Sequence, residues 1–336
     1  MIDFKERLIL AEIGMTHDGS LGQALELTKA AALAGVDGVK YQLHISEAET
    51  IRNAPQPPYF KAEPRYEYFK RTAFNMEQWK QVREQCKECG VKFIVSPFSI
   101  EAVKQLEEIG VDAIKIPSGE ITNIPYLEYI AQTGIPVIVS SGMSSWEELE
   151  ECIGIFQKEN CNIAILQCTS EYPCMPENVG LNIIDDLKEK YPEYAVGLSD
   201  HSSGVWASIA AWMKGATIIE KHFTLSKRMY GPDAKMSMEP EEMQLLCESI
   251  KSLQQALINP VDKSKTEKFT NMKQIFQKSI VAVQEIKKGT VLTEDMLGFK
   301  KPGIGLETKY YKDIIGKKTN RDLEFDDIIY KGDIEW

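Results

Sequence analysis

The chain has 336 residues, enough for a (β/α)₈ barrel of about 250 residues with a small module behind it. Apolar residues make up 43% and charged residues 26%, the balance of a soluble globular protein. The net charge of −11 argues against nucleic acid or an anionic membrane as partner, so an anionic substrate has to be held by a few local cations. The start, MIDFKERLILAEIG, is too short and too charged for a signal peptide, and no apolar run approaches the roughly 18 residues of a membrane span. Seven scattered cysteines fit reduced thiols in a cytoplasm. The one CxxC, Cys86 to Cys89, lacks a second pair for a metal site and reads as a helix end before Gly90.

Short apolar segments alternate with amphipathic ones along the first 258 residues. Strands are predicted at Leu8–Gly14, Gly38–Leu43, Lys92–Pro97, Ala113–Ser118, Pro136–Ser141, Asn162–Thr169, Ala195–Asp200 and Thr217–His222. Between them, Ser20 can cap a helix over Leu21–Ala34, with Leu21, Ala24, Leu25, Thr28 and Ala32 on one face. Ser145 with Glu148 is a capping-box pattern, and Gly90, Gly110, Gly134 and Gly215 fall where helices should stop. Eight such units predict a TIM barrel over residues 1–258. An open doubly wound sheet is the alternative, but no GxGxxG follows the first strand. The Pro-rich stretch Ile51–Tyr68, with Pro55, Pro57, Pro58 and Pro64, reads as a long irregular insertion after the second strand. Residues 259–278 read as a polar linker with one helical turn at most, and 279–336 as a small β-rich module.

The C-terminal ends of the strands, where a TIM barrel keeps its site, are unusually polar. They carry Glu12, then Lys40, Gln42 and His44 at alternate positions, then Ser96, Lys115, Ser118, Glu120, Ser140, Gln167, Thr169, Ser199, Asp200, His201, Glu220 and His222. All four histidines lie at or just past such an end. His201 and His222, on neighbouring strands, can bind one divalent ion and leave positions open for a carbonyl that the ion polarises. Asp200 and Glu220 are expected to orient those imidazoles. Lys40 and Lys115 suit capture of phosphate and carboxylate, with Ser96, Ser118 and Ser140 as donors. They could instead pair with Glu12 or Glu220, or a lysine could form a Schiff base.

The segments AEIGMTHDGS (11–20), VKYQLH (39–44), KIPSGE (115–120), SSGM (140–143), GLSDHS (197–202), EKHFT (220–224) and GPD (231–233) resemble, in order, the sialic acid synthase family, which makes N-acetylneuraminate, legionaminate and pseudaminate. The tail segments IKKGTVLTEDM (286–296) and KKPGIG (300–305) resemble the antifreeze-like, or SAF, domain that ends these enzymes. The resemblance implies condensation of phosphoenolpyruvate with an N-acylated amino sugar, release of phosphate by C–O cleavage, and a divalent ion of the manganese type, with magnesium or cobalt as alternatives. It implies that His201 and His222 bind the ion and that Lys40, Ser96, Lys115, Ser118, Ser140 and Ser199 hold phosphoenolpyruvate. Glu120 would act on the attacking water or on the aldehyde. Gln42, Tyr172, Asp233 and, from the tail, Lys301 would contact the sugar, with Glu12 nearby. It further implies a domain-swapped homodimer.

The chain departs from the family pattern at Ser170-Glu171-Tyr172, where sialic-acid-forming members carry Asn-x-Tyr, and at Lys301, where they carry Arg. Lysine keeps the charge but loses the planar fork. The Pro-rich loop, with Tyr59, Arg65 and Tyr66, also departs. These differences fall on the sugar pocket. A Schiff-base pyruvate aldolase with Lys115 as nucleophile, and a non-catalytic sugar-binding barrel, are the rival functions.

Overall fold

A computed structural model describes residues 2–56 and 62–336. Tyr59, Pro57 and Pro58 lie outside the described residues. The chain divides into two units, Met1–Ile258 and Asn259–Trp336.

The first unit is a closed barrel of parallel strands in sequential order. They are β1 (Leu8–Gly14), β2 (Gly38–Leu43), β3 (Lys92–Pro97), β4 (Ala113–Ile116), β5 (Val137–Ser140), β6 (Ile163–Cys168), β7 (Ala195–Ser199) and β8 (Ile218–His222). The barrel closes through the pairing of β1 with β8. The first three strands have the predicted bounds, and the others are one or two residues shorter than predicted. On β4 the cause is Pro117, which has no N–H for the ladder, so the chain turns into a 3₁₀ turn at Ser118–Glu120.

The helix Leu21–Leu33 is capped by Ser20, and Trp146–Lys158 by the Ser145–Glu148 box. In the former the buried residues are Ala24, Leu27, Thr28 and Ala31, so the core face is rotated from the predicted one. Both sets are i, i+3, i+4, i+7 stripes that share Ala24 and Thr28, and Leu21, Leu25 and Ala32 pack against the core partly buried. The Pro-rich insertion is less irregular than expected. Pro64 leads into the helix Arg65–Thr72, which buries Tyr66, Tyr68 and Thr72.

Alternation along the strands separates two cores. On β1, Ile9, Ala11 and Ile13 pack in the layer between sheet and helices. Leu8 and Leu10 instead join Ile94, Ala113, Ile138, Ala164, Leu166, Ala195 and Ile218, with Ile2 and Phe4 of the N-terminal segment, in a second cluster inside the barrel. Two residues further along the inward rows, chemistry changes. Leu10 gives way to Glu12, Gly38 to Lys40, Ile94 to Ser96 and Ala113 to Lys115. Ile138 gives way to Ser140, Leu166 to Cys168, Gly197 to Ser199 and Ile218 to Glu220. With a side-chain period of two, a single step up every strand converts an apolar plug into a polar chamber.

The second unit carries a two-stranded antiparallel sheet, β9 (Ser279–Ala282) and β10 (Leu297–Lys300), and isolated bridges over a core that includes Ile280, Leu292, Ile314, Leu323 and Ile329. The segment 259–278, expected as a linker, groups with this unit and holds a 3₁₀ turn at Glu267–Phe269 and the helix Thr270–Phe276.

Candidate active site

The polar ends of the strands line one cavity of about 1100 Å³. Of the residues expected in the site, it gathers Glu12, Lys40, Gln42, Ser96, Lys115, Ser118, Ser140, Tyr172, Ser199, His201, His222 and Asp233. Glu120 is the exception in the barrel. Its carboxylate, at the end of the 3₁₀ turn, accepts a 2.8 Å hydrogen bond from Asn123, and it is not among the lining residues. Lys301 belongs to the C-terminal unit, where its ammonium lies 5.2 Å from the centre of the Phe276 ring.

The floor is a buried quartet of charges. Lys40 Nζ lies 2.8 Å from Glu12 Oε2 and 3.8 Å from Glu220 Oε1, and Lys115 Nζ lies 3.1 Å from Glu220 Oε2. Ser199 donates to Glu220 Oε1 at 2.9 Å, Lys40 to Ser96 at 3.3 Å, and Gln42 Nε2 to Glu12 at 2.6 Å. The lysines are thus ion-paired as well as cavity-lining. Burial penalises the charges of Glu220 and Lys40, but attraction to their partners outweighs it. Glu220 is held well below the usual carboxylate range by Lys115 and Lys40, and Lys40 is raised by Glu12 and Glu220.

His201 and His222 meet above this floor with ring centres 5.5 Å apart. Register explains it: Ser199 pairs with Glu220, and each histidine lies two residues further along its strand direction. His201 Nδ1 lies 2.8 Å from the Thr169 carbonyl, which takes the proton on that nitrogen and leaves Nε2 as the lone-pair donor. Burial disfavours charge on His201, but the Cys168 sulfur at 4.0 Å and the carbonyl raise its pKa overall. His222 is lowered, chiefly by burial, and its Nδ1 is buried without a hydrogen-bond partner. The donor chemistry fits a divalent ion held by two imidazoles. Among the described residues no cluster of three or more His, Cys, Asp or Glu is placed to hold a metal.

The expectation that Asp200 and Glu220 orient the imidazoles is corrected. Asp200 follows inward-facing Ser199 and so points out of the barrel, to Ser202 N, Ser208 and Lys221. Glu220 binds the lysines. A backbone carbonyl, which no side-chain pattern announces, does the orienting. Tyr172 stacks on His201 at 4.2 Å and meets His222 edge-on. Asp233 accepts from Met15 N at 2.9 Å. That approach requires Gly14: its φ is +51°, and a Cβ there would lie 2.6 Å from the carboxylate. Gly142 likewise admits the hydroxyls of Ser118 and Ser170.

The mouth is tied by Arg71, which bonds Asp18 at 2.9 Å and Glu63 at 2.7 Å, while Tyr230 donates to Glu63 at 2.6 Å. Three loops share this exposed network. Arg71→Ala should change stability by less than about 1 kcal/mol, yet speed amide exchange over 62–72 and raise the sugar KM; unchanged exchange would show that the network does not hold the loop.

His17, the remaining strand-end histidine besides His44, lies outside the cavity against Phe74, with ring centres 4.5 Å apart. Burial and nearby His44 lower its pKa to about 3. A histidine kept neutral in the fold takes up a proton on unfolding, so its contribution is complete above about pH 6.5 and is lost as the pH falls toward 3, by at most about 1.4 kcal/mol per unit. Urea melts at pH 7 and 5 should show a smaller difference for His17→Gln than for the parent.

The sequence comparisons agree with this geometry. The NeuB family model matches residues 27–262 and the SAF domain model residues 277–335. The chain belongs to the NeuB family. It is 36% identical over 333 residues to the N,N'-diacetyllegionaminic acid synthase of Campylobacter jejuni, covering 97% of this chain and 99% of that one. It is 35% identical over 331 residues to the human N-acetylneuraminate-9-phosphate synthase, covering 96% and 90%. The solved sialic acid synthetase of Leptospira borgpetersenii superposes with a TM-score of 0.68 at 31% identity, over 80% of this chain and 90% of that one. The NeuB relatives are thus synthases of nonulosonic acids. Among the described residues no helix is long and apolar enough to cross a membrane.

Proposed function

We propose that this NeuB protein is a cytoplasmic nonulosonate synthase that condenses phosphoenolpyruvate with an N-acetylmannosamine-type aldose. The observation that carries the proposal is the meeting, in one chamber, of two buried lysines, a ring of serines and two adjacent imidazoles. Lys115 and Lys40, with Ser96, Ser118, Ser140 and Ser199, hold the phosphate and carboxylate of phosphoenolpyruvate. Gln42, Tyr172 and Asp233 hold the sugar, with Glu12 fixing Gln42. His201 and His222 hold a divalent ion, manganese by family resemblance, which when bound supplies Lewis-acid polarisation of the aldehyde oxygen. The methylene carbon of phosphoenolpyruvate bonds to the aldehyde carbon. Water adds to the former enol carbon, the bond from that carbon to the bridging oxygen breaks, and phosphate leaves. Roles for Glu120 and Lys301, and the domain-swapped homodimer, rest on the resemblance alone; an unchanged rate and sugar KM in Lys301→Ala would remove that residue from the site.

The Campylobacter relative supports a second sugar class, the 2,4-diacetamido-trideoxyhexoses that lead to legionaminate or pseudaminate. The test is phosphate release from phosphoenolpyruvate and manganese with N-acetylmannosamine, its 6-phosphate or those trideoxyhexoses. An isotopic label in the bridging oxygen should leave with phosphate. Release with no sugar on the panel would overturn the reading. Inactivation by borohydride with pyruvate would favour the Schiff-base aldolase, against which Lys115 stands as a paired cation on Glu220.

A further inference from the structure

One wall of the cavity is built by residues that the proposed reaction does not use. Phe98, two residues past Ser96, stacks on His44 with ring centres 4.2 Å apart and planes 17° apart. His44 stacks in turn on Phe69 at 3.7 Å and 9°. The guanidinium of Arg65 lies 5.4 Å from the centre of the Phe69 ring. The column is pinned from the side, because His44 Nδ1 lies 2.8 Å from Glu49 and Nε2 lies 3.1 Å from Gln42. Arg65, His44, Phe69 and Phe98 all line the cavity.

Arg65 is also chemically unfinished. It has no ion pair or protein hydrogen bond among the described residues, and its Nε is buried without a partner. A guanidinium nitrogen stripped of water and given nothing in exchange is costly, and an acidic protein has no shortage of carboxylates that could have served. The contrast with the floor is direct. There each lysine already faces a carboxylate, so its charge is shared between that partner and the anion it is proposed to hold. Phosphoenolpyruvate and a sugar phosphate both bring a dianionic phosphate, to which an unpaired guanidinium adds positive charge beyond what the paired lysines supply. A planar fork fixed by stacking suits two phosphate oxygens better than a flexible ammonium does.

We propose that Arg65 is a further anion-binding residue of this site, held by the Phe98–His44–Phe69 column to take a phosphate monoester. The inference rests on the synthase reading for its substrates but not for its first measurement. Two substrates can present the group: phosphoenolpyruvate, or an amino sugar phosphorylated at the end remote from its aldehyde. The wall is fixed from β2 and β3, whereas most of the serines assigned to phosphoenolpyruvate come from the β4 to β7 side, so a separate anion subsite is geometrically available.

The test begins with inorganic phosphate, titrated into the full chain without turnover. Arg65→Ala should weaken phosphate binding at least tenfold, and Arg65→Lys should recover part of the loss. Steady-state kinetics then separate the sources. A rise in the phosphoenolpyruvate KM alone assigns the group to that substrate, and a rise for N-acetylmannosamine 6-phosphate but not for the unphosphorylated sugar assigns it to the sugar. Phe69→Leu, which keeps the guanidinium but removes its support, should give a smaller loss of the same kind and guards against misfolding in the alanine variant. If Arg65→Ala, with an unchanged melting temperature, binds phosphate and both phosphorylated substrates as the parent does, or raises the KM of a neutral sugar equally, the proposal is overturned. A parent chain that binds phosphate through Arg65 yet releases none from phosphoenolpyruvate would sink the synthase reading and leave this inference standing.

Discussion

Replacing His201 or His222 by alanine should lower kcat/KM by on the order of 10³-fold. Lewis-acid polarisation is worth several kcal/mol, and each ~1.4 kcal/mol is a factor of ten in rate. The two rings form one site, with centres 5.5 Å apart, so the double variant should be little worse than either single one. Metal content after dialysis should fall with activity, while the thermal melt stays close to the parent's, because neither ring belongs to the apolar clusters. A double variant that is stripped of metal and still works at the parental rate would exclude the pair as ligands. Retained metal with lost activity would instead point to general acid–base roles for the imidazoles.

Lys115→Ala should reduce kcat/KM for phosphoenolpyruvate by about 30- to 1000-fold, the equivalent of about 2–4 kcal/mol for a lost charged hydrogen bond. The sugar KM should change little. The variant is also expected to be less stable, since Glu220 is buried and would keep only Lys40 and Ser199. Breaking one side of a buried pair costs about 3–5 kcal/mol, whereas replacing both sides can be close to neutral. The double variant Lys115→Met, Glu220→Gln therefore separates the two effects: its melting temperature should recover, and its affinity for phosphoenolpyruvate should not. Recovery of both would mean that Lys115 serves the fold and not the substrate. Equal losses for both substrates in a stable variant would place Lys115 outside the phosphoenolpyruvate subsite.

Much of this site was legible because the rule that builds it is local. Side chains on a strand alternate by covalent geometry, so Lys40, Gln42 and His44 had to share a face, and the step from Leu10 to Glu12 or from Ala113 to Lys115 could be read directly. Helices set by Ser20 or the Ser145–Glu148 box are decided within a few residues and were equally visible. The sequence by itself thus determined the barrel, its polar end and the strand-end side chains that form the floor of the chamber. What it left open are partnerships between residues brought together only when the barrel closes. Lys115 and Glu220 lie on strands far apart in the chain, so only the fold decides that the carboxylate serves the lysines and not an imidazole. The carbonyl of Thr169 on His201 is invisible to any side-chain pattern. The column from Phe98 through His44 and Phe69 to Arg65 joins two strand ends to a helix inside an insertion that read as irregular loop. Glu120 shows the converse: a carboxylate in a family motif, beside a strand end, whose direction depends on a 3₁₀ turn and on Asn123. Alternation is set by bonds along the chain and survives in the sequence, whereas the choice of partner for a buried charge depends on which groups are nearest once water is excluded, and only the tertiary structure settles that.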